Sequence, residues 1–137
     1  MISQSELNLI LKINFTLQGH GEFGWVVTGY LLNYGKITVK ILKDEATPEE
    51  LDQFKKNEDS WATVIHPNVV TVLGTCFSSF PMMSILEWSD EICAKTFLIS
   101  RQSEPDLSMS VQLAIDVCSG LASLHDHQIV VPDLAVR

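Results

Sequence analysis

The chain has 137 residues, of which 46% are hydrophobic, so it is long enough to bury the core of one small domain. Its 9 basic and 17 acidic residues give a net charge of −8, which argues against nucleic-acid and anionic-membrane partners. The sequence shows no signal-peptide pattern and no apolar run that approaches a membrane span, which predicts a cytoplasmic chain or a cytoplasmic piece of a longer one.

The first predicted strand, near residues 12–18, leads into a glycine-rich stretch. This stretch has the pattern G-x-G-x-x-G, with Phe23 before its last glycine and Val26 after it: Gly19, Gly21 and Gly24. Glycine lets backbone N–H groups approach an anion closely, so the pattern indicates a loop that holds phosphate groups. An ordinary hairpin turn explains the same glycines.

The residues after the glycines decide between two kinds of phosphate loop. The segment WVVTGYL favours a strand over a helix, which disfavours a dinucleotide-binding motif because that motif needs a helix N-terminus. A third strand is predicted next, because Ile37, Val39 and Ile41 alternate with more polar residues. Lys40 and Thr38 then share the opposite face. A half-buried strand with solvated lysines would show the same alternation.

Together, the glycine-rich hairpin and the strand lysine resemble the opening of a protein kinase domain, with Ile37-Thr38-Val39-Lys40 at its V-A-I-K position. The resemblance implies that Lys40 contacts the α and β phosphates of ATP and pairs with a glutamate of the next helix. It also implies a nucleotide-binding set of residues around it: Gly19, Gly21, Phe23, Gly24, Val26 and Thr38. Thr38 replaces the usual alanine, so we expect ATP binding to be weak.

A helix is predicted from Thr47 to about residue 64, because Thr47 and Glu50 can form a capping box around Pro48. Its apolar stripe is predicted to be buried: Leu51, Phe54, Trp61, Ala62 and Ile65. The following turn and strand, residues 66–74, resemble the kinase segment H-P-N-x-V-x-x-L-G. A count without gaps places Asn57 where the family has its helix glutamate. Glu58 could serve if the helix rotated, but a half-solvated glutamate is an equal alternative.

Residues 81–89 resemble the fifth strand and hinge of a kinase, with Leu86 at the gatekeeper position. This resemblance implies that backbone groups of Glu87 and Ser89 bind adenine. Residues 94–98 would open a short helix beyond the hinge. The next predicted helix, from Leu107 to about His125, has two apolar stripes: Val111, Ile115, Cys118 and Ala122, and Leu113, Val117, Leu121 and Leu124. A helix so apolar belongs inside a larger structure, so we predict self-association or a protein partner.

The last residues, 130–137, resemble the tyrosine-kinase catalytic loop H-R-D-L-A-A-R. Asp133 stands at the position that accepts the substrate proton, whereas Val131 and Pro132 replace the histidine and the arginine. The family's magnesium ligands, an asparagine and the D-F-G aspartate, would follow Arg137. We therefore expect this chain alone to hold no magnesium and to be catalytically inactive.

These patterns predict an α+β fold: a kinase-like small lobe with an antiparallel sheet and one helix over residues 1–88, then the hinge and the first helices of a truncated large lobe over 89–137. Three scattered cysteines predict reduced thiols and no metal site: Cys76, Cys93 and Cys118. Two functions remain open. One is a tyrosine-protein-kinase domain, cytoplasmic or part of a longer receptor, whose family transfers phosphoryl groups from ATP to protein tyrosine. The other is a non-enzymatic pseudokinase that acts as an interaction scaffold.

Overall fold

The computed structural model describes residues 16–21, 24–31, 34–78, 80–89 and 106–131. These residues form five strands and two helices: β1 (Thr16–Gly21), β2 (Gly24–Leu31), β3 (Gly35–Leu42), α1 (Pro48–Trp61), β4 (Val72–Cys76), β5 (Met83–Glu87) and α2 (Leu107–Asp126). The predicted α+β class is confirmed. By their contacts the elements fall into two compact units. One holds the residues up to Ile65 together with 70–88, and the other holds 66–69 together with the residues from Ser89 onward.

The first unit is built on one antiparallel sheet with the strand order β1-β2-β3-β5-β4. Its register places Val39 opposite both Val27 and Ile85, so the odd-numbered residues of the central strands share one face. That face is the main core of the unit: Val27, Leu31, Ile37, Val39, Cys76, Met83 and Ile85. The predicted alternation in β3 is confirmed, since Ile37 and Val39 are fully buried and Ile41 packs against them.

Helix α1 covers the opposite face of the sheet through a smaller core. Phe54 of α1 packs with Leu42 at the end of β3 and with Met82 just before β5. Its ring also meets the edge of the Phe77 ring, with the centroids 6.0 Å apart. Burial of these aromatic and aliphatic groups fixes α1 on the face that carries Lys40.

The first turn of α1 forms the predicted capping box. Glu50 N–H donates to Thr47 Oγ1 over 3.2 Å, and Thr47 N–H donates to Glu50 Oε2 over 2.8 Å. Lys43 Nζ donates to the other oxygen of Glu50 over 2.7 Å. The Lys43 hydrogen bond, followed by the Thr47 backbone bond, lowers the pKa of the Glu50 carboxyl from its ordinary 4.5.

We expect the hydrogen bonds and the Lys43 ion pair of the Glu50 carboxylate to add their full stability to the capping box only while Glu50 is ionised. Because the folded state lowers the Glu50 pKa, this contribution is complete above pH 4.5 and disappears as the pH falls through the lowered value. A Glu50→Gln variant should therefore lose stability at pH 7 and show a flatter decline below pH 4.5 in urea unfolding at a series of pH values. Glu49→Gln in the same turn is the control. If stability declined equally below pH 4.5 in the wild type and in Glu50→Gln, the assignment of this decline to the Glu50 carboxyl would be contradicted.

Several predicted boundaries differ from the observed ones. Strand β1 ends at Gly21, three residues beyond the predicted end at 18, and the predicted residues 12–15 lie outside the described residues. Helix α1 ends at Trp61, so Ala62 and Ile65 are exposed and do not belong to its buried stripe. The helix stops early because the backbone turns there, with Val64 N–H bonded to the Trp61 carbonyl over 3.0 Å. Val64, rather than Ile65, fills the core at this point.

Helix α2 has the predicted limits within one residue. Asp106 caps its N-terminus by accepting a hydrogen bond from Ser108 N–H over 3.3 Å. Only Gly120 and Leu124 of this helix are buried, whereas most of its apolar side chains are exposed. By length and composition α2 could cross a membrane, so the prediction that no apolar run approaches a membrane span was wrong for this segment. Core helices of soluble proteins meet the same criteria of length and composition.

Candidate functional site

The register of β2, β3 and β5 collects predicted site residues on one face of the sheet. Val26 of β2 lies opposite Lys40 of β3, and Thr38 of β3 lies opposite Leu86 of β5. Since Thr38 and Lys40 are two residues apart, both pairs point to the same side of the sheet. This side is the one that α1 covers. The structure therefore brings together four side chains that the sequence placed in a nucleotide site.

Lys40 forms an ion pair with Glu58 of α1. Lys40 Nζ donates to Glu58 Oε1 over 3.0 Å. The Glu58 side chain is 5% exposed, whereas the Lys40 side chain is 43% exposed, so the carboxylate is buried and the ammonium reaches solvent. An ammonium group has three N–H donors, and Glu58 accepts one of them. Lys40 therefore presents its ammonium group, oriented by a buried carboxylate, on the open part of the face.

The prediction that Asn57 takes the place of the helix glutamate was wrong. Asn57 Oδ1 accepts a hydrogen bond from Gln53 Nε2 over 2.7 Å, along the outer side of α1. One residue turns a helix by about 100°, which is the difference between Asn57 and Glu58. Glu58 follows the buried Phe54 by four residues and so lies on the same face of the helix. That four-residue spacing is the sequence signal that indicates Glu58. The alternative of a half-solvated Glu58 is also wrong, because its side chain is buried.

A cavity of about 250 Å³ lies beside this ion pair in the first unit. Apart from Lys40 and Glu58, its walls are apolar side chains: Trp61, Val70, Val72 and Leu86. Within the described part of the chain, Glu58 Oε2 is buried without a hydrogen-bond partner. A carboxylate in such surroundings is held by its single ammonium partner, so the position of Lys40 is tied to that of α1.

The end of β5 is fixed by contacts on both sides. The Glu87 carboxylate accepts a hydrogen bond from Thr71 N–H over 2.8 Å, while Glu87 N–H donates to the Thr71 carbonyl over 3.0 Å. Lys36 Nζ lies 3.8 Å from the centre of the Trp88 ring, in a cation–π contact. These contacts hold the end of β5 in place, and the next residue, Ser89, is exposed.

The remaining predicted site residues divide into two groups. The backbones of Gly19 and Gly21 lie in β1, opposite Val26 and Gly24 of β2. The other predicted positions lie outside the described residues: Phe23, Asp133, Pro132 and the short helix at residues 94–98. Val131 is the last described residue, and it is half-buried. Across the described ranges, no three histidine, cysteine, aspartate or glutamate side chains form a group able to hold a metal.

Comparison with known proteins gives a family match over most of the chain. The family model described as "Protein tyrosine and serine/threonine kinase" matches residues 12–137. Mouse "Cytoplasmic tyrosine-protein kinase BMX" is 27% identical over 136 residues, with 99% of this chain and 20% of the relative covered.

Two further relatives carry different kinase names. The Drosophila melanogaster "Tyrosine-protein kinase transmembrane receptor Ror" is 32% identical over 149 residues, with 96% of this chain and 22% of the relative covered. Mouse "Serine/threonine-protein kinase LMTK3" is 31% identical over 150 residues, with 99% and 10% covered. The chain thus spans about a fifth or less of the length of these relatives.

Proposed function

Because the chain belongs to the protein tyrosine and serine/threonine kinase family, we propose that the face with Lys40 binds ATP as the small lobe of a tyrosine-kinase-like domain. The small lobe would span residues 1–88, and residues 89–137 would form the hinge and the beginning of the large lobe. The Lys40–Glu58 ion pair carries this proposal. It supplies the oriented lysine and the helix glutamate on which kinases depend.

In this proposal each part of the face has one task. The Lys40 ammonium neutralises charge on the α and β phosphates, and Glu58 holds it in place. Val26 and Leu86 offer apolar surface to the base, and the Thr38 hydroxyl narrows the space between them. The glycines of the β1–β2 hairpin let backbone N–H groups approach the phosphates. Magnesium would neutralise further phosphate charge when bound, and we propose that this chain alone does not hold it.

For catalysis, we infer that this chain is weak or inactive, although its family transfers the γ-phosphoryl group of ATP to protein hydroxyls. Asp133 has the position of the proton acceptor, but Val131 and Pro132 replace its usual histidine and arginine neighbours. Proline fixes its own φ and biases the preceding residue toward an extended conformation, which alters the approach to Asp133. The named relatives include a cytoplasmic kinase and a transmembrane receptor, so we propose a cytoplasmic location, free or within a receptor.

The test is the thermal unfolding midpoint with and without ATP, in the presence and absence of magnesium. Ligand binding to the folded state alone raises stability, so ATP at about ten times its Kd should raise the midpoint by about 3–6 °C. Lys40→Ala should abolish the shift. Lys43→Ala is the matched control, because it removes another ion pair between this end of β3 and α1. No shift for the wild type in millimolar ATP, or an equal shift in Lys40→Ala, would overturn the nucleotide site.

The exposed apolar side chains of α2 favour a second function, that of an interaction module. Val111, Ile115 and Cys118 are exposed and recur at helical spacing, which gives a continuous apolar stripe. We expect the isolated chain to self-associate through this stripe in multi-angle light scattering. Ile115→Asp should return it to a monomer, whereas Ser110→Asp, an exposed polar site on the same helix, should not. A wild-type chain that is a monodisperse monomer would exclude self-association through this stripe.

A further inference from the structure

The turn at residues 66–69 is docked on α2 by a histidine. His66 Nδ1 accepts a hydrogen bond from Asn68 N–H over 3.1 Å. Its other ring nitrogen, Nε2, lies 3.3 Å from Ser119 Oγ of α2. The imidazole therefore forms two contacts in opposite directions, one within the turn and one to the helix.

Close packing reinforces this contact between the turn and the helix. Gly120 follows Ser119 and lies so near the turn that an added Cβ would be 2.7 Å from the Asn68 carbonyl oxygen. Val69 is buried, and its N–H donates to the His66 carbonyl over 3.1 Å. The turn is thus held by one side chain, a tight backbone contact and one buried apolar group.

The hydrogen bonds define the protonation state of His66. A backbone N–H can only donate, so Nδ1 must offer a lone pair to Asn68. The neutral ring then carries its proton on Nε2, from where it donates to Ser119 Oγ. A proton added to Nδ1 would face the Asn68 N–H, so two donors would oppose each other. The contact within the turn is therefore compatible with the neutral imidazole alone.

We propose that His66 is a proton-sensitive latch of the 66–69 turn: its neutral ring closes the turn by accepting the Asn68 N–H, and a proton bound at Nδ1 breaks that bond while Nε2–H still donates to Ser119 Oγ. Among the described residues of the turn and of α2, few charged side chains adjoin this contact. Residues 65–70 include no other ionisable side chain. On α2, the nearest charged residue to Ser119 is Asp116, one turn earlier, whose Oδ1 accepts a hydrogen bond from Gln112 Nε2 over 2.9 Å. His125 and Asp126 lie more than one turn beyond Ser119 and are exposed.

The test follows the ring and the turn of the full chain in one NMR titration from pH 7.5 to 5.5. Long-range nitrogen–proton spectra should show the Nε2–H tautomer of His66 at pH 7.5. As the ring takes up a second proton, the protection of the Asn68 amide against exchange, corrected for the intrinsic rate, should fall about three- to tenfold. An Nδ1–H tautomer, or constant Asn68 protection while the ring is protonated, would overturn the latch.

Two variants separate the latch from a general loss of stability. Ser119→Ala should lower the Asn68 protection at pH 7.5 while its pH dependence remains, because the Nδ1 contact is intact. His125→Gln, an exposed histidine on the same helix, should leave the Asn68 profile unchanged. A His125→Gln profile that loses its pH dependence would assign the titration to another group and overturn the proposal. The wild-type titration decides the question even if a variant fails to fold.

Discussion

A Gly24→Ala substitution is expected to destabilise the protein by about 3 kcal/mol or more, the larger of the two main effects. Gly24 closes the β1–β2 hairpin opposite Gly21, and its φ of +153° is rarely adopted by residues with a side chain. An added Cβ would also collide with the Ile41 carbonyl oxygen and lie 2.7 Å from Lys43 N. Both neighbours are backbone atoms of the central β3 region, so neither can move aside cheaply.

Gly35→Ala is the matched control for this substitution. Gly35 also has a positive φ, of +110°, but an added Cβ would meet no atom within 4 Å. Its cost is therefore backbone strain alone, about 1–2 kcal/mol. Urea unfolding of both variants gives their unfolding free energies. The difference between the two losses is the contribution of the close contact between Gly24 and the β3 backbone. Equal destabilisation would show that the contact with Ile41 and Lys43 is relieved by a shift of the hairpin.

Single substitutions of the two members of the Lys40–Glu58 pair should lower the free energy of unfolding by different amounts. Lys40→Ala leaves a buried carboxylate without its partner and should cost about 2–4 kcal/mol, less than a fully buried pair because Lys40 reaches solvent. Glu58→Gln leaves a lysine that water can solvate, and should cost about 1–2 kcal/mol. Both variants should lose the stabilisation by ATP. Unfolding free energies from urea titration measure the order of the two effects.

Asn57→Ala is the control for this pair, because it changes the neighbouring residue of the same helix. Asn57 is hydrogen-bonded to Gln53 on the exposed side of α1, so its loss should cost less than about 0.5 kcal/mol. It should also leave the ATP-dependent shift intact. If Asn57→Ala abolished the shift while Glu58→Gln retained it, the assignment of the helix glutamate would be contradicted.

Local patterns in the sequence predicted the parts of the fold that depend on neighbouring residues. The capping box at Thr47 and Glu50 and the limits of α2 need only the first turn and the apolar spacing of a helix. The alternation in β3 needs only the pleat of a strand. These features are confirmed because a few adjacent residues determine them. The same holds for the shared face of Thr38 and Lys40.

The parts that sequence patterns could not predict depend on distances across the chain. Glu58, and not Asn57, reaches Lys40 because the packing of Phe54 sets the rotation of α1, and a count from the distant His66 cannot detect an offset of one residue. Ile65 continued the apolar spacing of α1, but the chain turns before it and Val64 is buried instead. The contact of His66 with Ser119 joins residues 53 apart, and no local pattern indicates it.

The position of β1 in the sheet has a consequence for how the glycine-rich hairpin moves. Among the described strands, β1 is the first in the sheet order and pairs with β2 on one side, while β3 pairs with strands on both sides. Separation of β1 therefore breaks one ladder, and its register already shifts between Leu17 and Gly19. Local opening of this edge requires less free energy than global unfolding. In the proposed nucleotide site, this opening would lift the hairpin away from the ligand while Lys40, two strands away, stays in the centre of the sheet.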